Sequence, residues 1–170
     1  MPDPAIQVVD ENDQPIGSAS KQEIWEKGLT HRIIRVMIED EHGRALLQKR
    51  APTKQPYPGR WDHSVAGHVD VGEDYETAAR REINEELGIV AKDLEELGSF
   101  RSNATFEWRK LNRFNRVYRL RLDSHIQFRL DPEEATEARW FELDELKQLV
   151  KDKPEEFSYG FPLVLERYYS

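Results

Sequence analysis

Glu82, Glu85 and Glu86 are the residues of this chain best spaced for chemistry, because positions i, i+3 and i+4 put three carboxylates on one side of a helix. On a wheel of about 100° per residue, Ala79, Ile83 and Leu87 form an apolar stripe, with the glutamates in an arc beside it. Like charges at this spacing repel by roughly 0.2–0.5 kcal/mol per pair, and by more where a nearby sheet lowers the dielectric. Such clustering calls for a cation, and hard anionic oxygens suit magnesium or manganese. Arg81 lies one turn before Glu85 and is expected to pair with it and fix its rotamer. Glu73 is placed to salt-bridge back to Arg81 or to support the metal shell, and Gly67 lets a backbone carbonyl approach the metal closely.

The elements that must position these groups follow from local signals. Asp74 is an N-cap, Tyr75 to Leu87 a helix and Gly88 its C-terminal cap. Upstream, His31 to Glu39 is dense in β-branched residues and reads as a buried strand, paired in a hairpin with Ala45 to Lys49. Ile6 to Val9 and Pro15 to Gly17 read as short strands, and Lys21 to Lys27 as one or two helical turns stopped by Gly28. Pro52, Pro56, Pro58 and Gly59 make Ala51 to Arg60 a stiff loop, and Trp61 to Val71 reads as strand plus loop. Leu94 to Arg101, Thr105 to Trp108 and Arg113 to Leu122 read as further strands. Asp131 to Ala138 is expected to be an acidic loop, followed by a short strand at Arg139 to Phe141 and a helix from Leu143 to Val150. Phe157 to Tyr168 reads as a last helical segment that packs in the core. With no internal repeat and no linker, the expectation is one α+β domain over residues 1–170, a mixed sheet with two or three helices.

Composition narrows the classes. The 170 residues are 38% hydrophobic and 34% charged, as in a folded, well-solvated globule. A formal net charge of −8 argues against extended nucleic acid as a partner. The absence of cysteine removes disulfides, thiolate metal sites and cysteine nucleophiles, and suits the reducing cytoplasm. Met1 to Asp10 has no basic start followed by an apolar run, so no signal peptide is expected, and no apolar stretch reaches the roughly 20 residues that span a bilayer.

Taken together, Gly67, five residues, Glu73, seven residues, then Arg81-Glu82-Ile83-Asn84-Glu85-Glu86-Leu87-Gly88-Ile89 resembles the signature of the Nudix hydrolases at every defined position of 67–89. The resemblance implies an α/β/α sandwich around a mixed sheet and a small-molecule substrate in which a nucleoside diphosphate is linked to another group. It implies Mg2+ or Mn2+ held by Glu82, Glu85, Glu86 and Gly67, with Arg81 orienting a glutamate. A further glutamate from a later loop serves as ligand or base in such enzymes, and Glu133, Glu134 and Glu137 are the candidates. Many relatives are dimers, so monomer and homodimer are both open.

Around the signature, Arg50 at a strand end and Lys54 are candidates for substrate phosphate oxygens, with Lys49 equally well read as solvated. Arg113, Arg116, Arg119 and Arg121 concentrate positive charge on one strand, with Arg116 the candidate to reach the substrate. His31, His63 and His68 are metal-ligand candidates beside an ordinary structural use, and Trp61 is a stacking candidate beside core packing. The stretch Trp61 to His68 is also similar to that of isopentenyl diphosphate isomerases, which share the Nudix fold. Their cysteine falls at Ala66, and a later glutamate at a position that matches Arg116. An alanine cannot move a proton. The expected activity is therefore hydrolysis of a diphosphate linkage, with isopentenyl diphosphate isomerisation and non-catalytic sensing of a diphosphate ligand as alternatives.

Overall fold

The computed structural model describes residues 5–170; Met1 to Pro4, the start of the stretch read for a signal peptide, lie outside the described residues. Strands β1 (Ile6–Val9) and β2 (Pro15–Ala19) form a hairpin and lead into helix α1 (Lys21–Lys27). Ser20 caps α1 by accepting from the Glu23 amide, and Gly28 closes it with φ 68°. The central strand β3 (His31–Glu39) follows, then β4 (Ala45–Arg50), β5 (Trp61–Asp62) and β6 (Val65–His68). Helix α2 (Tyr75–Leu87) leads to the long hairpin β7 (Leu94–Phe106) and β8 (Arg109–Arg121). Strand β9 (Ala135–Phe141), helix α3 (Leu143–Asp152), a 3-10 turn at Pro154–Glu156 and helix α4 (Gly160–Tyr168) complete the chain.

The sheet is mixed because β3 pairs in parallel with β8 along its whole length, while its other neighbours run antiparallel. On the edge away from β8, β6 takes Ile33 to Val36 and β4 takes Ile38 and Glu39. Side chains alternate along β3, as the period of two requires. Ile34, Val36 and Ile38 join Leu46 and Val65 under the α2 residues Ala79, Ile83 and Leu87. Met37, on the opposite face, joins Leu47, Val117 and the α4 residues Phe161, Val164 and Leu165. These are the three layers of an α/β/α sandwich. Both faces of β3 are covered, which is why it reads as an almost unbroken apolar run.

Asp74 caps α2 by accepting from the Thr77 amide at 2.8 Å, and Gly88 ends it at φ 69° in the left-handed region. An alanine there brings a Cβ penalty of about 1–2 kcal/mol. Gly88→Ala is expected to lower the melting temperature by roughly 2–4 °C or somewhat more for a chain this size, read by thermal denaturation, with metal binding retained.

Three expectations are corrected. There are four α-helices among the described residues, because Gly160–Tyr168 and Lys21–Lys27 are both regular. Leu94 to Phe106 is one strand, carried through Ser102 to Ala104 by unbroken pairing with Leu111 to Arg113. Ala135 to Ala138 belongs to β9, not to a loop, since Glu137 and Ala138 register with Lys49 and Gln48 of β4.

Candidate active site

Strand β6 and helix α2 meet at Gly67 and Glu82. Gly67 pairs with Ile34 and so faces α2, whereas Ala66 and His68, paired with Arg35 and Ile33, face the other way. A Cβ on Gly67 would collide with the carboxyl group of Glu82 and stand 2.8 Å from its Cγ. The glycine thus makes room for a carboxylate, a role its type alone did not reveal.

The three helix glutamates sit at different depths. Glu86 is buried, accepts from Gln48 Nε2 at 3.2 Å through Oε1, and leaves Oε2 without a partner among the described residues. Burial raises its pKa well above the carboxylate range, and the neighbouring Glu82 and Glu134 charges push it the same way. Glu82 is half-buried; desolvation lifts it to about 7 against the opposing pull of Arg81. Glu85 is exposed at the rim. An orphaned buried carboxylate oxygen beside a second desolvated carboxylate is a costly arrangement unless a cation shares it. The donor set fits a hard divalent metal.

Arg81 ties this group together. Its Nε and Nη2 donate to both oxygens of Glu73 at 2.8 and 2.9 Å. Nη1 donates to Glu82 at 2.9 Å and Glu85 at 3.1 Å, and Nη2 also reaches the His68 carbonyl at 3.1 Å. Hydrogen bonding to Glu73 raises its pKa still further above the ordinary guanidinium value, while the same contact lowers that of Glu73. A lysine has no planar fork to make these contacts at once. Arg81→Lys is expected to cut kcat/KM by roughly 10–100-fold, the usual cost of losing a residue that orients ligands, while leaving the fold intact by circular dichroism.

Across the cleft, Lys54 pairs with Glu134 at 2.6 Å, and both line the cavity that holds Arg81, Glu82 and Glu85. Of the three late-loop candidates only Glu134 lies there: Glu133 is exposed, and Glu137 is engaged by Arg139 at 2.8 Å. Arg50 pairs with Asp62 at 3.0 Å and lines the adjoining cleft. Asp62 also accepts from His63 and Ser158; burial works against its charge, but the His63 hydrogen bond and the His63, Arg50 and Arg35 charges hold its pKa below the usual carboxylate range.

Arg116 is not in this cleft. It points to the α2 side, 4.0 Å over the Tyr75 ring and 3.2 Å from Glu96. Arg119 pairs with Glu95, and Arg121 is exposed. Because β8 is parallel to β3 in register, the β8 residues on the Ala66 face are Arg113, Asn115, Val117 and Arg119. None of these four is a carboxylate. Trp61 is buried edge-on against Phe141, and Lys49 lies over its ring, so both serve packing. His31 is buried and held at both ring nitrogens, and His63 Nδ1 is committed to Asp62 at 2.6 Å. His68 packs on His31 with ring centroids 5.3 Å apart. Among the described residues one trio with metal-ligand spacing, Glu41, Asp123 and His125, is exposed, and none of the three lines either cavity.

Sequence reasoning missed Lys21, Arg35 and Asn115. Lys21 opens α1 and lines both cavities; Arg35 is buried on β3 and lines the cleft. The available signal for Arg35 was a lone charge inside an apolar β-branched run.

A three-layer sandwich whose central strand β6 presents a glycine to an acidic helix is the arrangement this chain shares with a known family. The NUDIX domain profile matches residues 29–160, and the chain belongs to the Nudix family. It is 34% identical over 164 residues to an isopentenyl-diphosphate Delta-isomerase 2 of Photorhabdus laumondii, covering 96% of this chain and 91% of that one. It is 34% identical over 143 residues to an uncharacterized Nudix hydrolase of Yersinia pestis, covering 83% and 74%. A crystal structure from Deinococcus radiodurans superposes with a TM-score of 0.82 at 26% identity, over 98% of this chain and 99% of that one. No helix among the described residues is long and apolar enough to cross a membrane.

Proposed function

We propose that this chain is a divalent-metal-dependent hydrolase of a diphosphate linkage, in a nucleoside diphosphate or a derivative of one. The observation that carries the reading is the buried Glu86 carboxylate, with one oxygen unpartnered, beside Glu82. A diphosphate repels nucleophiles through its own charge. A bound Mg2+ or Mn2+ supplies neutralisation of that charge and a lowered pKa for water. Glu82, Glu85 and Glu86, with the Gly67 carbonyl, are the groups that would hold it. Arg81, clamped by Glu73, orients Glu82 and Glu85. In this reading Lys54 offers an ammonium to phosphate oxygens, and Glu134, its ion-pair partner, takes a proton from water.

Isomerisation is the second reading, favoured by the names of relatives that align over nearly the whole chain. Moving a double bond requires a proton to be added at one carbon and removed from another. The face that carries Ala66 offers no cysteine, and none of the β8 residues on it, Arg113, Asn115, Val117 and Arg119, is a carboxylate. Phosphorus-31 NMR for the phosphates, with proton NMR for the double bond, separates the two readings. With magnesium, nucleoside diphosphate compounds are expected to yield monophosphate resonances, and isopentenyl diphosphate to keep its double bond. Conversion of isopentenyl diphosphate to its dimethylallyl isomer, with the nucleotides untouched, would overturn the hydrolase reading.

A further inference from the structure

The cleft on the Ala66 side of β6 is built from more positive charge than the protein pairs. It is lined by Arg35, Arg50, Arg113, Lys21 and Lys54, in a chain whose net charge is −8. Arg50 is matched by Asp62 and Lys54 by Glu134. Arg35 and Arg113 are 4% and 9% exposed, and neither has a carboxylate within 4.0 Å among the described residues. Buried guanidinium groups are almost always paired, because the charge is expensive to desolvate alone.

Both are also held in place. Arg35 donates from Nε to Asn115 Oδ1 at 2.8 Å. Asn115 is itself oriented by donating from Nδ2 to Ser102 Oγ at 2.9 Å. The Arg35 guanidinium lies flat against Gly160, where any Cβ would strike it. Arg113 donates from Nε to His31 Nε2 at 3.3 Å, and His31 turns its Nδ1 to the Leu29 carbonyl at 3.0 Å. Those two contacts select the neutral tautomer of His31 with Nδ1 protonated. Burial, with Arg113 beside it, lowers its pKa to about 3, so it stays an acceptor. In each arginine the Nε is anchored, Arg35 Nη1 also lies 3.4 Å from His63 Nδ1, and the terminal nitrogens of a guanidinium make the fork that recognises phosphate. The Nη atoms of Arg113 have no side-chain or carbonyl partner among the described residues.

We propose that Arg35 and Arg113 form a seat for a second phosphate group, a phosphomonoester that the substrate carries in addition to the diphosphate it loses. This deepens the hydrolase reading and rests on it for where the diphosphate sits. The α2 side of β6 holds Arg81 and the metal ligands, so the diphosphate is met there. Lys21, Lys54 and His68 border both cavities and make them continuous. Ile33, Pro56 and Tyr57 supply the apolar wall for the carbon skeleton between the two groups. An apolar chain in this cleft would leave two buried guanidiniums without solvent or counter-charge.

The test has a binding arm that does not depend on turnover. Inorganic phosphate is titrated by calorimetry into wild type, Glu86→Gln, Arg113→Met and Arg113→Lys in EDTA, with malonate titrated in parallel. Saturable phosphate binding by wild type and Glu86→Gln is expected, with at least tenfold weakening in Arg113→Met. Arg113→Lys keeps a charge without the fork and is expected to weaken binding severalfold, which decides the matter if the methionine variant does not fold. Unchanged phosphate affinity in either variant, or malonate binding tighter than phosphate, would overturn the second seat. The kinetic arm compares ADP with adenosine 3′-phosphate 5′-diphosphate, and ribose 5-phosphate 1-diphosphate with inorganic pyrophosphate, all with magnesium. At least one phosphorylated member is expected to exceed its counterpart roughly 100-fold in kcat/KM, a preference that Arg113→Lys reduces. Phosphate binding without any hydrolysis sinks the hydrolase reading and leaves the seat; hydrolysis without preference or phosphate binding does the reverse.

Discussion

Glu86→Gln is expected to lower kcat/KM by about a thousandfold while raising the melting temperature of the metal-free protein. The two effects have one origin. Glu86 is a buried carboxylate with one oxygen unpartnered and two other acidic side chains pressing on it. In the metal-free protein it costs free energy, since an unsatisfied buried polar group costs about 1–3 kcal/mol. Glutamine keeps the shape and the contact with Gln48, and removes the cost of either ionising or protonating a buried carboxyl group. Relief of about 1 kcal/mol corresponds to roughly 2–4 °C in a chain of this size. The activity loss follows because a hard divalent cation loses an anionic ligand, and each tenfold in rate is about 1.36 kcal/mol. Thermal denaturation with and without magnesium checks both halves. A variant less stable than wild type in EDTA, yet as active in magnesium, would mean that Glu86 is a packing residue.

The second large effect is expected of Gly67→Ala. The usual expectation for glycine is a special backbone conformation, but Gly67 is an ordinary strand residue paired with Ile34. What it lacks is volume: a Cβ there would occupy the position of the Glu82 carboxyl group. The methyl group must push Glu82 off its contact with Arg81, so the damage spreads to both. A loss on the order of 100-fold in kcat/KM is expected, in line with small misplacements of catalytic groups, with a reduced metal-induced rise in melting temperature. Metal titration by calorimetry checks it. Wild-type affinity in the alanine variant would show that Glu82 has another route to the site.

The parts of this molecule that were legible in the sequence are those written in local code. The Asp74 and Gly88 caps, the apolar stripe of α2 and the unbroken apolar run of β3 each follow from a few neighbouring residues. The hairpin of β7 and β8 was harder. Its turn is Glu107-Trp108, with Glu107 at φ 57° and neither glycine nor asparagine to mark it. Trp108 is instead packed edge-on against Trp25 of α1, ring centroids 6.2 Å apart, a contact that exists only once α1 lies against the hairpin. At the site, spacing alone grouped the helix glutamates, but their graded burial depends on Gln48 and Gly67 from two different strands. Arg116 was misassigned because the faces of β8 are set by its parallel register with β3, a non-local property. The same register brings Arg113 and Asn115 to His31 and Arg35, a cluster drawn from residues some 80 positions apart.

The central claim is that this site cuts a diphosphate linkage with a divalent metal. The most direct measurement is phosphate and pyrophosphate release by the wild-type chain from a panel of diphosphates, each run with magnesium, manganese and EDTA. Nucleoside di- and triphosphates, nucleotide sugars, dinucleotides, coenzyme A and isopentenyl diphosphate belong in it. Release from a few members, present with either metal and absent in EDTA, is the expected result. Silence across the panel with ligand binding still measurable would contradict it, and would make the protein a sensor of such ligands despite Glu82, Glu85 and Glu86.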